Sequence, residues 1–362
     1  MNDTKKNFYE KKRILITGGA GFIGAAVIRR LLTTHKINIF NIDKLSYASN
    51  LTSIKQCLSN LKIENSSRYQ FLKVDLCNSR ETSMAIKSIN PDFVMHLAAE
   101  SHVDRSISRP RTFFESNILG TFNLLESVRE HFENLTTSRK KNFRFHHVST
   151  DEVFGSLGKE GSFDESSSYN PRSPYSASKA SSDHLVRSWY STYGLPTLIS
   201  NSSNNYGPWQ LPDKLIPKII FNVLNEIEIP LYGDGSNIRD WIFIEDHVDA
   251  LLKVLFHGVI GESYCIGGNQ EKTNLQIALL ICEYLDKSLQ RKTPNSKLIS
   301  FVNDRLGHDF RYKLNINKIS KELNWNPNFS FELGLENTIN WYLKNREWLN
   351  SSIDNLTNNF YA

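Results

Sequence analysis

Cysteine is scarce, with four in 362 residues: Cys57, Cys77, Cys265 and Cys282. None forms a C-x-x-C pair and no histidine stands at a metal-ligand interval from them, which excludes a zinc site and a disulfide framework. No metal is expected, and the thiols read as buried groups of a reducing, cytoplasmic compartment. Long hydrophobic runs are also missing. Nothing approaches the roughly 18 apolar residues that a membrane-spanning helix needs, and the polar segment 1–10 lacks a signal-peptide core. Charge of one sign is not in excess: 43 basic and 38 acidic residues leave a net charge of +5. Apart from a short basic start (Lys5, Lys6, Lys11, Lys12, Arg13) the signs are interspersed, so neither nucleic acid nor a membrane is an expected partner.

What is present is an average globular composition, 40% apolar with 18 Gly and 11 Pro, on a chain long enough for about two domains. Short β-branched runs at 13–17, 37–43, 69–76, 93–99 and 143–149 alternate with amphipathic stretches at 23–33, 81–89 and 113–132. Most runs are apolar throughout, as strands covered on both faces are. The alternation predicts an α/β fold: a Rossmann-type doubly wound parallel sheet with a smaller mixed α/β C-terminal substrate domain. The first domain is expected over 11–206 with a return segment near 240–268, the second over 207–345. In the second half, helices are expected at 215–225, 248–255 and 271–285, and the polar tail 349–362 is expected to fray.

The run Ile14-Leu15-Ile16 leads straight into Thr17-Gly18-Gly19-Ala20-Gly21-Phe22-Ile23-Gly24, after which a helical pattern begins. Gly19-x-Gly21-x-x-Gly24 meets the dinucleotide fingerprint, and Gly18-x-x-Gly21-x-x-Gly24 its near variant. Such glycines bring a tight turn up to a pyrophosphate and aim the next helix's N-terminus at it. Asp43 ends the second strand 19 residues beyond Gly24. Alone it would read as a strand-end cap; beside the glycine turn it reads as the acceptor of ribose hydroxyls. Its charge repels a 2′-phosphate, so NAD is the expected cofactor even with Lys44 following.

Tyr175-Ser176-Ala177-Ser178-Lys179 sets a phenol and an ammonium four residues apart on a helix expected over 175–190. Residues i and i+4 share a face, so the cation is expected to favour the phenolate and bring it down from its ordinary value of about 10. Tyr175 then suits the role of general base for a substrate alcohol. The fifth apolar run stops at Thr150-Asp151-Glu152, at the carboxyl edge where such sheets take ligands. Vicinal carboxylates there offer an acid and a base whose pKa values their surroundings push apart. His146 and His147 face opposite ways in a strand and read as structural.

Taken together these motifs resemble the extended short-chain dehydrogenase/reductase superfamily and, within it, the dTDP-glucose 4,6-dehydratases. The likeness rests on the glycine turn, on HLAAESHVDRS at 96–106, STDEVFG at 149–155, YSASK at 175–179, SNNYGP at 203–208, KLIP at 214–217, RDW at 239–241 and DRLGHD at 304–309. The acid pair Asp151-Glu152 separates the chain from sugar-nucleotide epimerases. The resemblance implies an NAD-dependent hydro-lyase that turns dTDP-glucose into dTDP-4-keto-6-deoxyglucose and water, a precursor of deoxysugars such as rhamnose, with NAD tightly bound and regenerated each turnover. Tyr175, assisted by Lys179, would take the 4-hydroxyl proton as NAD takes the C4 hydride, Thr150 bonding the same oxygen. Glu152 would remove the C5 proton, Asp151 would protonate the departing 6-hydroxyl, and the hydride would return to C6.

By the same resemblance Gly18, Gly21, Phe22, Ile23, Gly24, Asp43, Lys44, Asp75, Leu76, Ala98, Ser116, Tyr175, Lys179 and Asn205 would hold the cofactor. Ser101, Thr150, Asn204, Lys214, Leu215, Tyr232, Arg239, Asn274, Arg305, His308 and Tyr312 would hold the nucleotide-diphosphate hexose in the second domain. A homodimer through 113–132 and 175–193 is implied by analogy. Leu306, Trp209, Gln210 and Phe154 depart from the usual family residues without touching the proton donors and acceptors. The alternatives are a UDP-glucose 4,6-dehydratase, an epimerase or decarboxylase of the same superfamily, and a catalytically silent nucleotide-binding protein.

Overall fold

In the computed structural model, which describes residues 10–63 and 68–358, the first apolar run forms β1 (Arg13–Thr17). Successive side chains of a strand point to opposite faces. Ile14 and Ile16 accordingly enter one core with Ile28, Leu31, Val248 and Leu251, while Leu15 enters another with Ile86, Leu124, Val128 and Val186. A strand apolar at every position needs cover on both sides, and helices supply it. The next runs become β2 (Asn38–Asp43), β3 (Tyr69–Lys73), β4 (Phe93–His96) and β5 (Arg144–Thr150). They join β6 (Thr197–Ser202) and, later in the chain, β10 (Ser263–Ile266) in a seven-stranded parallel sheet ordered β3-β2-β1-β4-β5-β6-β10. The chain direction across the sheet reverses between β1 and β4, which opens a crevice at their carboxyl ends. The doubly wound sheet expected from the sequence is therefore present.

The second half is mixed. β7 (Asn204–Tyr206), β9 (Ile238–Phe243) and β11 (Glu271–Thr273) form a three-stranded sheet, and β8 (Ile229–Tyr232) pairs with β12 (Ile299–Val302). The helix Ile244–His257 returns to the main sheet and packs its buried face into the core shared with β1. β6 escapes sequence reading because four of its six residues are polar. Its polar groups are paired inside: Ser200 Oγ lies 2.9 Å from His146 Nε2, and Asn201 Nδ2 donates to Thr150 O at 3.1 Å.

Three expectations are corrected. The helix expected over 271–285 starts instead at Asn274, because Glu271–Thr273 pairs with β9 and Thr273 forms a capping box with Gln276. The helix expected over 113–132 is interrupted by a π-helical turn, Phe114–Leu119. The tail does not fray through its described part: Arg346–Asn358 is helical, with Leu349 buried and Trp348 packed edge-on against Trp209 and Trp341. Residues 359–362, like Lys5 and Lys6, lie outside the described residues.

Candidate active site

The glycine turn is shaped by close approach. Gly18 has φ +70°, and a Cβ there would meet Ala98 N at 2.6 Å; one on Gly24 would meet Gly18 O at 2.3 Å. A Cβ on Gly21 would touch nothing nearer than Gly18 O at 3.3 Å. The outer side of the turn thus stays open to the cleft while its inner side binds strand to helix, which is what a pyrophosphate cradle requires. At the end of β2, Asp43 Oδ2 accepts from the Ala20 N–H at 3.0 Å, and Oδ1 accepts from the Leu45 N–H at 2.8 Å and the Ser49 hydroxyl at 2.9 Å. Lys44 is drawn away by Glu100, 3.3 Å from its ammonium, and also donates to Ser116 Oγ at 3.4 Å. The cation beside Asp43 is neutralised, and the carboxylate remains suited to hydroxyls over phosphate.

A cleft of about 310 Å³ runs from this turn to the end of β5. Gly18, Gly21, Phe22, Ile23, Gly24, Asp43, Lys44, Asp75, Leu76, Ala98, Ser116, Tyr175, Lys179 and Asn205, the whole set expected to hold a dinucleotide, line it. Ser101, Thr150, Asn204 and Lys214 of the expected substrate set line it too, as do Asp151 and Glu152. The residues around the cleft fit NAD: a glycine cradle, an acceptor carboxylate at the strand end, and buried amide oxygens of Asn204 and Asn205 without a partner.

Leu215, Tyr232, Arg239, Asn274, Arg305, His308 and Tyr312 lie beyond the lining. Arg305 Nη1 stands 3.4 Å from Asp104 Oδ1, and the Tyr232 hydroxyl donates to Asp104 Oδ2 at 3.1 Å, with His308 edge-on to Tyr232. Leu215 opens the helix Leu215–Leu224 next to Lys214, which donates to Ser101 O at 3.1 Å. Arg239 lies over the Tyr312 ring and donates to Asp309 O at 3.0 Å; Asn274 joins this group through its N–H to Asn237 O, since Asn237 also donates to Asp309 O. The charges of Arg305, Arg239 and Lys214 nevertheless act on Glu152.

The reacting end is built by three local devices. Thr150 caps the 3₁₀ turn Asp151–Phe154: its Oγ1 accepts from the Glu152 N–H at 3.2 Å and donates to Asp151 Oδ1 at 3.2 Å. Ser173 and Ser176 form a capping box with Pro174 at the first position of the helix Pro174–Tyr193, which fixes Tyr175 in the first turn. The π-helical turn, a device that re-aims side chains at functional sites, turns Asn117 inward. There its Nδ2 donates to Glu100 O at 3.0 Å and Ser178 Oγ at 2.9 Å.

Burial and neighbouring charges then divide the protons. Asp151 is pushed well above the usual carboxylate range by burial and then by the charges of Glu152 and Asp240. Glu152 is raised by burial too, but Arg305 and Arg239 oppose the rise. Two adjacent acids are thereby separated into a proton holder and a group nearer ionisation, as expected. Tyr175 runs against expectation: burial and the Glu152 charge raise its pKa, with Thr150 alone opposing among its main influences. The physical reason is that Lys179 points elsewhere. Its ammonium donates to Val148 O at 2.9 Å, and burial lowers it to about 8. The i,i+4 cation alone does not bring the phenol down. Glu100, Asp183 and Asp240 shape the site yet were not singled out from sequence. Glu100 and Asp240 sit inside the HLAAES and RDW motifs, and Asp183 follows Lys179 by one helical turn.

Among the described residues no group of side chains is arranged to hold a metal, and no helix is long and apolar enough to cross a membrane. Residues 15–338 match the GDP-mannose 4,6 dehydratase family. The chain is 50% identical over 348 residues to the dTDP-glucose 4,6-dehydratase of Salmonella typhimurium, covering 94% of this chain and 95% of that one. The dTDP-glucose 4,6-dehydratase of Bacillus anthracis in complex with NAD superposes with a TM-score of 0.81 at 39% identity, covering 94% of this chain and 99% of that one. The enzyme of that name from Streptomyces venezuelae, also with NAD bound, gives 0.83 at 39% identity and the same coverage. A glycine cradle, a strand-end acid pair and a helical tyrosine, set on a backbone shared from end to end with such proteins, leave one assignment: the chain belongs to the GDP-mannose 4,6 dehydratase family of nucleotide-sugar dehydratases.

Proposed function

We propose that the chain is an NAD-dependent hydro-lyase that converts dTDP-glucose to dTDP-4-keto-6-deoxyglucose and water. The observation that carries this reading is the meeting of Thr150, Asp151, Glu152 and Tyr175 at one end of a cleft whose other end is the glycine turn. Bound NAD supplies the hydride acceptor for C4 and the later donor for C6, and its cationic ring favours the Tyr175 phenolate. Tyr175 takes the proton of the 4-hydroxyl while Thr150 hydrogen-bonds the same oxygen. Ketone formation acidifies the C5 proton, which Glu152 removes and afterwards returns to C5. Asp151, held protonated by burial and by like charges, gives its proton to the departing 6-hydroxyl, which leaves as water. The proton gained by Tyr175 matches the one lost by Asp151, so the net change in the sugar is one water.

The segments 11–206 and 240–268 serve the cofactor in this reading, and 207–345 serves the nucleotide sugar, with Lys214, Arg239 and Arg305 as cations for its diphosphate. Phe114, Leu119, Phe122, Tyr190 and Tyr193, each at least 40% exposed, lie on the π-helical turn, on the helix that continues it and on the Pro174–Tyr193 helix, and support a homodimer through that face. The unpaired thiols of Cys57, Cys77, Cys265 and Cys282 support a cytoplasmic enzyme. Thymine differs from uracil by one methyl, worth about 1–3 kcal/mol in an apolar pocket, so UDP-glucose is the competitor to test. Purified protein incubated with dTDP-glucose is expected to give a 4-keto product with the mass of one water lost, faster than with UDP-glucose. Epimerised product of unchanged mass, or no turnover with either sugar, would overturn the assignment.

A further inference from the structure

Behind the reacting end lies a buried polar cluster that the roles above leave unused. Asp183 stands one turn after Lys179 on the Pro174–Tyr193 helix and has no exposure. Its Oδ2 accepts from the Ser149 hydroxyl at 2.9 Å, the Tyr169 hydroxyl at 2.8 Å and Asn201 Nδ2 at 3.3 Å. Its Oδ1 faces His147 Nε2 at 3.1 Å. The same ring nitrogen lies 3.3 Å from Lys179 Nζ. His147 Nδ1 is buried without a hydrogen-bond partner.

This arrangement selects a tautomer. An ammonium can only donate, so Nε2 faces Lys179 as the acceptor and the ring proton sits on Nδ1. Asp183 Oδ1 is left buried with no hydrogen-bond partner, so it meets the ring, 3.1 Å away, and the ammonium behind it through its charge. His147 is neutral, since burial and the Lys179 charge lower its pKa to about 4. Asp183 therefore reaches Lys179 as a charge acting across an uncharged ring, in surroundings too dry to screen it. The other groups that face this cluster do not take over that part. On the same helix Tyr175 is not among the charges that act on Lys179; from β4, His96 lies tilted 5.1 Å from His147 and is held between Thr17 and Thr121. Asn117 reaches Ser178 as an amide. Arg187, one turn further along the helix, donates to the Tyr169 hydroxyl at 3.0 Å. Asp151 and Glu152 act on Tyr175.

We infer that Asp183 is a positioning residue of this reaction: through neutral His147 it keeps the Lys179 ammonium charged and in place, and so sets the upper edge of the pH range in which the C4 oxidation proceeds. The inference rests on the proposed function and adds to it that the Lys179 ammonium, which lines the same cleft as Tyr175, must be charged for that base to work. Lys179 is already lowered to about 8 by burial, with Asp183 opposing. Without that anion the ammonium loses its proton at lower pH, and the alkaline limb of activity moves down.

The test is the pH profile of kcat/KM for reduction of bound NAD by dTDP-glucose in wild type, D183N, D183E and Y169F. D183N is expected to move the alkaline limb down by about one unit, a roughly tenfold loss at pH above both limbs, with NAD content unchanged. D183E restores the limb by restoring the charge. Y169F removes a hydrogen bond to Asp183 without removing charge and keeps the wild-type limb. Coincident limbs for D183N and wild type overturn the inference, as does a Y169F shift equal to that of D183N. Should D183N fail to fold, D183E and the side-chain ¹⁵N titration of Lys179 decide: a lysine that loses its proton together with the alkaline limb in both proteins supports the inference, and a limb that does not follow the lysine overturns it. A wild-type protein that forms no keto sugar defeats the proposed function instead, and the Lys179 titration in wild type and D183N still judges Asp183.

Discussion

Asp151 and Glu152 are chain neighbours, yet their surroundings give them opposite work. Asp151 is buried beside Glu152 and Asp240, and its Oδ2 has no hydrogen-bond partner, so it holds its proton. Glu152 feels three cations carried by distant segments, Lys214, Arg239 and Arg305. Removing the base alone should uncouple the reaction. E152Q is expected to reduce bound NAD on addition of substrate while dehydration falls roughly a hundredfold to ten-thousandfold, the range for a lost general base. Absorbance of reduced cofactor against mass of the sugar reads the two steps separately, and normal dehydration by E152Q would remove Glu152 from its role. The acid pair was legible in sequence because it ends an apolar strand. The charges that divide it were not, because Asp240 and the three cations meet it only through the tertiary fold.

Secondary-structure elements position these groups through their ends. The Pro174–Tyr193 helix enters with Ser173 accepting from the Ser176 N–H and Ser176 Oγ accepting from the Ser173 N–H, and Tyr175 follows within the first turn. S173A should therefore cost about 1 kcal/mol of stability, the usual loss of an N-cap, and lower kcat more than it weakens NAD binding, because the tyrosine lies in the frayed turn. Denaturant midpoints and single-turnover rates together check this; an unchanged kcat in a destabilised protein would detach the cap from the chemistry. At this scale the first half was readable, since β1 to β5 are short segments rich in apolar and aromatic residues that alternate with amphipathic helices. Elements made by pairing were not. β11 reads as the start of a helix until β9 lies beside it, and the π-helical turn leaves no mark in the pattern of Phe113 to Phe132.

The molecule as a whole carries an acid weakness that follows from where its histidines sit. His146, His147 and His247 are fully buried in or against the main sheet, with burial lowering them to about 3, 4 and 3, and His96 falls well below its ordinary value for the same reason. A histidine neutral in the fold and free to charge when unfolded binds fewer protons in the native state between its two pKa values. Stability from these groups is complete above about 6.5, the unfolded value, and is lost as pH falls toward the folded one. Asp151, Glu152 and Asp240 act with the opposite sign, because their folded pKa values are raised and the native state gains protons on them as pH falls. The buried histidines outnumber them, so the net slope runs toward lower stability in acid. His247 isolates the effect, since neither ring nitrogen has a hydrogen-bond partner and the site lies away from the cleft. H247F should lose some stability at neutral pH through altered packing, then gain on wild type by about 1.4 kcal/mol for each pH unit below 6. Urea midpoints from pH 7 to about 4.5 measure it; parallel curves for the two proteins would mean that His247 takes up its proton inside the fold, and that the core around it is wetter than its complete burial implies.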